Sequence, residues 1–225
     1  MEATMPASLV ENLREFAESR GNVYGFLSRC YEIEIDAAFA EQVAERFSFS
    51  SDDPRLAASL DAMKRDLADQ SEEHLEQLAV VFDRVFFGMG PRTAQKAFPY
   101  ESVYTSSEGL LMQEAYSKAV SAYRQERLAK NPSFPEPEDH LAVELAFMQS
   151  LCERTASALS MGDESEAERL FAEQRAFIDE HLLTWIERFA SDAKASAESG
   201  FYWHLAAFTE EFLKADSEAL AEVLG

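Results

Sequence analysis

The sequence predicts an all-α protein, a multi-helix bundle forming a single domain over residues 1–225. Three observations predict it. Glycine and proline are scarce, at 8 and 7 in 225 residues, while Ala, Leu and Glu, which favour helices, are abundant. Apolar residues recur at spacings of three, four and seven, the period of a helix with one buried face. A hydrophobic content of 47% over this length is enough to bury a full core.

The first helix runs from about Ser8 to Tyr31, with Leu9, Leu13, Phe16, Tyr24, Leu27 and Tyr31 on one face and Ser8 as its N-cap. Gly21 and Gly25 interrupt it, each at a cost of about 1 kcal/mol against Ala, so close packing or a bend is expected there. Asp36 caps a short helix carrying Phe39, Val43 and Phe47. Asp53-Pro54 opens the next, an N-cap followed by a first-turn proline, with Leu56, Leu60, Met63 and Leu67 inside. Ser71 starts SEEHLEQLAVVFDRVFFG, which buries Leu75, Leu78, Phe82, Val85 and Phe86, stops at Gly88 and leaves His74 on the surface of its first turn.

The segment from Gly88 to Tyr104 is a loop with more aromatic residues, Phe98, Tyr100 and Tyr104, than a solvated loop needs. Such residues either pack back onto the body or line a binding surface. A helix is expected from Ser106 or Ser107 through EGLLMQEAYSKAVSAYRQERLAK, with Leu111, Ala115, Ala119 and Ala122 on a close-packing face. Pro132, Pro135 and Pro137 then stiffen a connector at about 131–138 into an extended strap.

The strap delivers Asp139, a suitable N-cap, and His140 to a helix carrying Leu141, Leu145, Met148, Cys152 and Leu159. A second stripe on that helix, His140, Glu144, Phe147 and Leu151, mixes charge with apolar bulk. It fits a half-buried helix with a satisfied histidine, or one wall of a binding groove. Met161-Gly162-Asp163 breaks the chain before EAERLFAEQRAFIDEHLLTWIERFA, whose wide apolar stripe belongs at the bundle centre, with a break near Gln174 and with His181 in the core or at its rim. SDAKASAESG reads as a polar turn before FYWHLAAFTEEFLKADSEALAEVL.

The net charge of −22 repels nucleic-acid phosphates and anionic lipid and would steer a basic peptide inward. No nucleic-acid partner and no stable membrane insertion are therefore expected. Without a run of 18 apolar residues or a basic-then-apolar leader, a cytoplasmic location is expected. Cys30 and Cys152 read as reduced, buried small hydrophobes. Phosphate loops, dinucleotide fingerprints, H-E-x-x-H and C-x-x-C are missing. His140 and Glu144 are spaced i, i+4 with Asp139 nearby, but no third firm ligand is evident, so neither a metal nor a cofactor is expected. Asp139-His140 lacks a companion nucleophile, so no catalytic task is expected.

Three stretches carry a family resemblance: VFDRVFFGMGP at Val81 to Pro91, FPYESVYTSSEGLLMQEA at Phe98 to Ala115, and PEPEDHLAVELAFM at Pro135 to Met148. Together they resemble the TorD/DmsD/NarJ group of redox-enzyme maturation chaperones, the TorD-like side especially. FIDEHLLTWIERF and FYWHLAAFTEEF are similar to the group's C-terminal helices. The resemblance implies the TorD-like all-helical fold and a non-catalytic task. Such chaperones bind the twin-arginine signal peptide, and sometimes the body, of the apo-form of a molybdenum-containing oxidoreductase, and hold it until its cofactor is inserted. Carried over by position, the peptide-binding region falls on Tyr100, Ser102, Tyr104, Asp139 and His140, and helix geometry adds Glu144.

Glu136, Glu138, Asp139 and Glu144 beside Tyr100, Tyr104 and Phe147 would supply the carboxylates and apolar surface that a leader with two arginines and an apolar segment needs. The client stays open among several reductases and dehydrogenases. So does the oligomeric state, since the group can exchange helices between protomers to give a homodimer. A helical scaffold or regulator without leader specificity, or a weak nucleotide hydrolase, are the alternatives.

Overall fold

The computed structural model describes residues 6–47, 49, 51, 53–89 and 96–225. Among them lie ten α-helices and no named strand. Residues 90–95, which include Pro91 of the first motif, lie outside the described residues, as do residues 1–5.

Helix α1 (Ala7–Glu32) packs most extensively on α7 (Leu141–Ser160). The two glycines explain how the helices come so close. A Cβ on Gly21 would sit 3.3 Å from Cys152 Cβ, and one on Gly25 would sit 2.9 Å from the Gln149 side chain. Close packing, not a bend, is therefore what the glycines serve. The expected Ser8 cap is not used. Pro6 occupies the N-cap without a side-chain hydrogen bond.

Three other starts follow the sequence. Asp36 accepts from the Phe39 amide at 2.7 Å to open α2 (Ala37–Arg46), and Asp53 accepts from the Arg55 amide at 2.8 Å ahead of Pro54 in α3 (Pro54–Leu67). Ser71 accepts from the His74 amide at 3.3 Å to open α4 (Glu72–Phe86), and Gly88, at φ +68°, follows its end. His74 is half-buried, with Nε2 3.4 Å from Asp66.

A five-residue helix, α5 (Glu101–Thr105), interrupts the aromatic loop. The next helix begins later than its composition suggests. α6 spans Glu114–Gln125, because Gly109 (φ +63°) and Met112 (φ +55°) turn the backbone, while Ser106 Oγ takes the Leu110 amide at 3.2 Å and Ser102 Oγ takes the Gln113 amide at 3.0 Å. Leu110, Leu111 and Met112 are left exposed, whereas Ala115 and Ala119 are buried as expected. α6 ends with Arg127 at φ +55° and the Leu128 amide donating back to the Tyr123 carbonyl at 2.8 Å, a closure usually made with glycine.

Gly162 (φ +75°) and the Asp163 cap separate α7 from α8 (Glu164–Phe177). The expected break near Gln174 falls four residues later, as a π turn over Ile178–Leu182. Gln174 itself is held in regular helix by its bonds to Arg20 and Thr155. α9 (Leu183–Ala197) absorbs most of the supposed polar turn, and only residues 198–200 separate it from α10 (Phe201–Leu224). α9 pairs with α10, α3 covers another side of α10, and α4 lies on α9.

The core is one cluster, with Tyr31, Phe86, Phe189 and Tyr202 meeting edge-on or stacked at 5.5 to 6.1 Å between ring centroids. Both cysteines are free and buried. No helix among the described residues is long and apolar enough to cross a membrane.

Candidate functional site

The strap, the aromatic loop and the start of α7 join in one hydrogen-bonded junction. The Leu141 amide donates to the Pro99 carbonyl at 2.8 Å and the Glu101 amide to the Asp139 carbonyl at 3.0 Å, so that Tyr100 and His140 pair as an isolated antiparallel bridge. Asp139 lies inside. Its Oδ2 accepts from the Ser102 amide at 3.0 Å, serving the first turn of α5 and not the α7 start for which the sequence suits it. His140 takes the capping role on α7, where its Nδ1 accepts from the Ala142 amide at 3.1 Å.

That bond fixes the tautomer and position of the imidazole. Its ring sits edge-on between Tyr100 and Phe134, at 5.0 and 5.1 Å. Burial, aided by the Lys130 charge, pushes its pKa down to about 3, so the ring is neutral at ordinary pH. The strap is tied on both flanks. The Tyr100 hydroxyl donates to Glu136 at 2.6 Å, the Tyr123 hydroxyl donates to the Glu138 carbonyl at 2.9 Å, and the Lys130 ammonium donates to the Glu136 carbonyl. Burial, then the neighbouring Glu136, raises the Tyr100 hydroxyl pKa.

Of the six residues singled out by sequence, Tyr100, Ser102, Asp139, His140 and Glu144 converge here and are all buried. Tyr104 stands apart at the far end of α5. It is half-buried, stacks on Trp185 at 5.5 Å, and donates its hydroxyl to Asp192 at 3.2 Å.

Glu144 turns away from His140 toward Glu101 and His181. The three side chains bring one ligand atom each within 4.8 Å of one another, and His181 Nδ1 lies 2.9 Å from Glu101 Oε2. No hydrogen bond of good geometry reaches either Glu144 oxygen, although the Glu101 carboxyl and the Trp185 indole N–H lie beside it. Burial, followed by the Glu101 charge, raises the Glu144 pKa well above the usual carboxylate range. Glu101 is the residue sequence reasoning missed. The only signal was its place between Tyr100 and Ser102, because a helix as short as α5 shows no periodicity that would turn one side chain inward.

A recess of about 120 Å³ opens beside the strap. Tyr123, Leu128, Phe134, Val143, Ala146 and Phe147 give it an apolar lining, and Glu32, Ser28 and Lys130 stand among its polar groups. It lies against the same strap and α7 surface that the junction holds in place.

The sequence model of the family described as nitrate reductase delta subunit matches residues 50–191. A protein named chaperone protein TorD from Vibrio vulnificus is 30% identical, over 94% of this chain and 99% of its own length. Proteins of the same name from Aliivibrio fischeri and Photobacterium profundum are 30% and 31% identical, covering 94% and 83% of this chain and 99% and 87% of their own lengths. With helices throughout the described residues and this degree of similarity, the chain belongs to the nitrate reductase delta subunit family and is a redox-enzyme maturation chaperone of the TorD/NarJ type, not an enzyme.

Proposed function

We propose that the protein binds the twin-arginine signal peptide of a molybdenum-containing oxidoreductase and holds the apo-enzyme back from export until its cofactor is in place, acting as one domain over residues 1–225. The observation that carries this reading is the recess beside the 131–138 strap, an apolar trough on a protein of net charge −22. An apolar side chain of the leader would fill the trough, and the protein's overall negative charge would attract the arginines. Charge sets encounter rate and orientation, and burial supplies most of the affinity, at about 25 cal/mol per Å² before ordering costs.

In this reading Tyr100, Ser102, Asp139 and His140 shape the site from beneath, by fixing the strap and the start of α7, Glu144 lies deeper beside Glu101 and His181, and Tyr104 offers a partly open ring. Their burial supports that division. A peptide lying on the surface would meet the rim of the trough before it met Asp139 or Glu144.

The test is leader binding measured by fluorescence anisotropy. An Arg-Arg leader is expected to bind with an affinity that falls steeply with salt, a Lys-Lys leader more weakly, and Ala146→Trp, which fills the trough from a half-buried position, about tenfold or more weaker than wild type at unchanged melting temperature. Equal affinity for the two leaders would point to a scaffold without leader specificity. Undiminished binding by Ala146→Trp would move the site elsewhere.

A further inference from the structure

We propose that Glu101, Glu144 and His181 bind a single first-row divalent cation, of the zinc or manganese kind, in the interior between α5, α7 and the π turn. The site goes beyond peptide binding and does not depend on which leader, if any, the trough accepts.

Donor chemistry is the first support. Two carboxylates and one imidazole, with one ligand atom each inside a 4.8 Å span, form a set that such cations accept. With tetrahedral bonds of about 2.0–2.2 Å, ligand atoms stand about 3.3–3.6 Å apart, so the widest pair in the 4.8 Å span would close by about 1–1.5 Å while His181 Nδ1 and Glu101 Oε2, now at 2.9 Å, would open slightly. The absence of a thiolate argues against soft ions, and the imidazole argues against magnesium and calcium.

Isolation from water is the second. The protein has 42 acidic residues, and most can only attract cations diffusely. These three are different, at 3%, 0% and 6% exposure for Glu101, Glu144 and His181. Glu144 is aimed into the cluster, and neither its oxygens nor Oδ1 of Asp139 is held by a hydrogen bond of good geometry. A buried carboxylate left this way is costly unless something positive joins it. One divalent cation balances two carboxylates and a neutral imidazole to zero net charge.

The third support is the backbone. His181 lies in the π turn of Ile178–Leu182, which joins α8 to α9. Single π turns inside long helices recur at functional sites because they redirect side chains without ending the helix. His181 is steadied there by stacking on Phe177 at 4.5 Å, which leaves its Nδ1 facing Glu101.

The experiment uses the full chain, stripped with a chelator and titrated with Zn²⁺ or Mn²⁺ in millimolar Mg²⁺ to occupy surface carboxylates. One equivalent is expected to bind, raising the melting temperature by about 5–10 °C at a hundredfold excess over Kd. Glu144→Gln and His181→Gln are each expected to weaken binding about tenfold or more. In the wild type, the imidazole nitrogen resonances of His181 should shift on Zn²⁺ addition, a readout that holds even where a variant folds poorly. Binding without defined stoichiometry, equal binding by Glu144→Gln, or an unmoved His181 signal would each overturn the site and leave a pair of carboxyls sharing a proton. None of these outcomes bears on leader affinity.

Discussion

His140 is under two constraints that both require a neutral ring. As the α7 cap it must accept a hydrogen bond at Nδ1, so it must be neutral, and burial between Tyr100 and Phe134 enforces this. Its folded pKa, at about 3, lies below the ordinary value of 6.5. The unfolded chain therefore takes up the proton first. The stabilising contribution is complete above pH 6.5 and is lost as pH falls toward 3, with a slope of up to about 1.4 kcal/mol per pH unit from this one group. Asn is a good N-cap and does not titrate. Urea unfolding of His140→Asn between pH 7 and pH 4 should thus show a slope shallower than wild type by about that amount, whatever its stability at pH 7. An unchanged slope would mean that the ring is not held neutral by the fold.

Among elements, α1 and α7 show what a local pattern can and cannot reveal. Gly21 and Gly25 are visible in the sequence as interruptions, and close packing is one of the two readings they allow. Only the structure distinguishes them by what each faces. Gly21 faces Cys152 Cβ, which is fixed to the α7 backbone, whereas Gly25 faces the movable end of Gln149. Gly21→Val is expected to destabilise by about 1–3 kcal/mol by prising the helices apart, while Gly25→Ala stays near neutral, helix propensity offsetting the rotation of Gln149. Denaturant midpoints measure both.

Caps are legible for the same local reason. Asp36, Asp53, Ser71 and Asp163 each act within three residues of themselves, so the sequence carries the whole interaction. The start of α6 is misleading because residues 108–113 favour helix, while the bond that delays it comes from Ser102, eleven residues upstream. The cluster of Glu101, Glu144 and His181 is illegible in a stronger sense. Glu101 and His181 are 80 residues apart, and no spacing rule connects them.

For the whole molecule, the interaction that joins distant parts is polar. Arg20 on α1 pairs with Asp216 on α10 and donates to Gln174 on α8, the Tyr24 hydroxyl donates to the same aspartate, and Gln174 reaches Thr155 on α7. Both members of the pair are almost wholly inside. Breaking such a pair leaves one charge buried alone, so Asp216→Ala is expected to cost about 3–5 kcal/mol. Removing both charges, as in Arg20→Met with Asp216→Leu, should recover much of that loss, and equilibrium unfolding of the three variants tests it. The all-helical class is readable from composition and period. This polar tie is not, because Arg20 and Asp216 each look like an ordinary surface residue on its own helix.

The same tie sets a schedule for the newly made chain. Arg20 and Asp216 are 196 residues apart, and ribosomes add about 5–20 residues per second, so the arginine waits about 10–40 s for its counter-charge. During that interval α1 can settle against α7 but cannot bury Arg20 at low cost. A redox-enzyme maturation chaperone thus passes through an unfinished state of its own, and its core can close only once α10 has emerged.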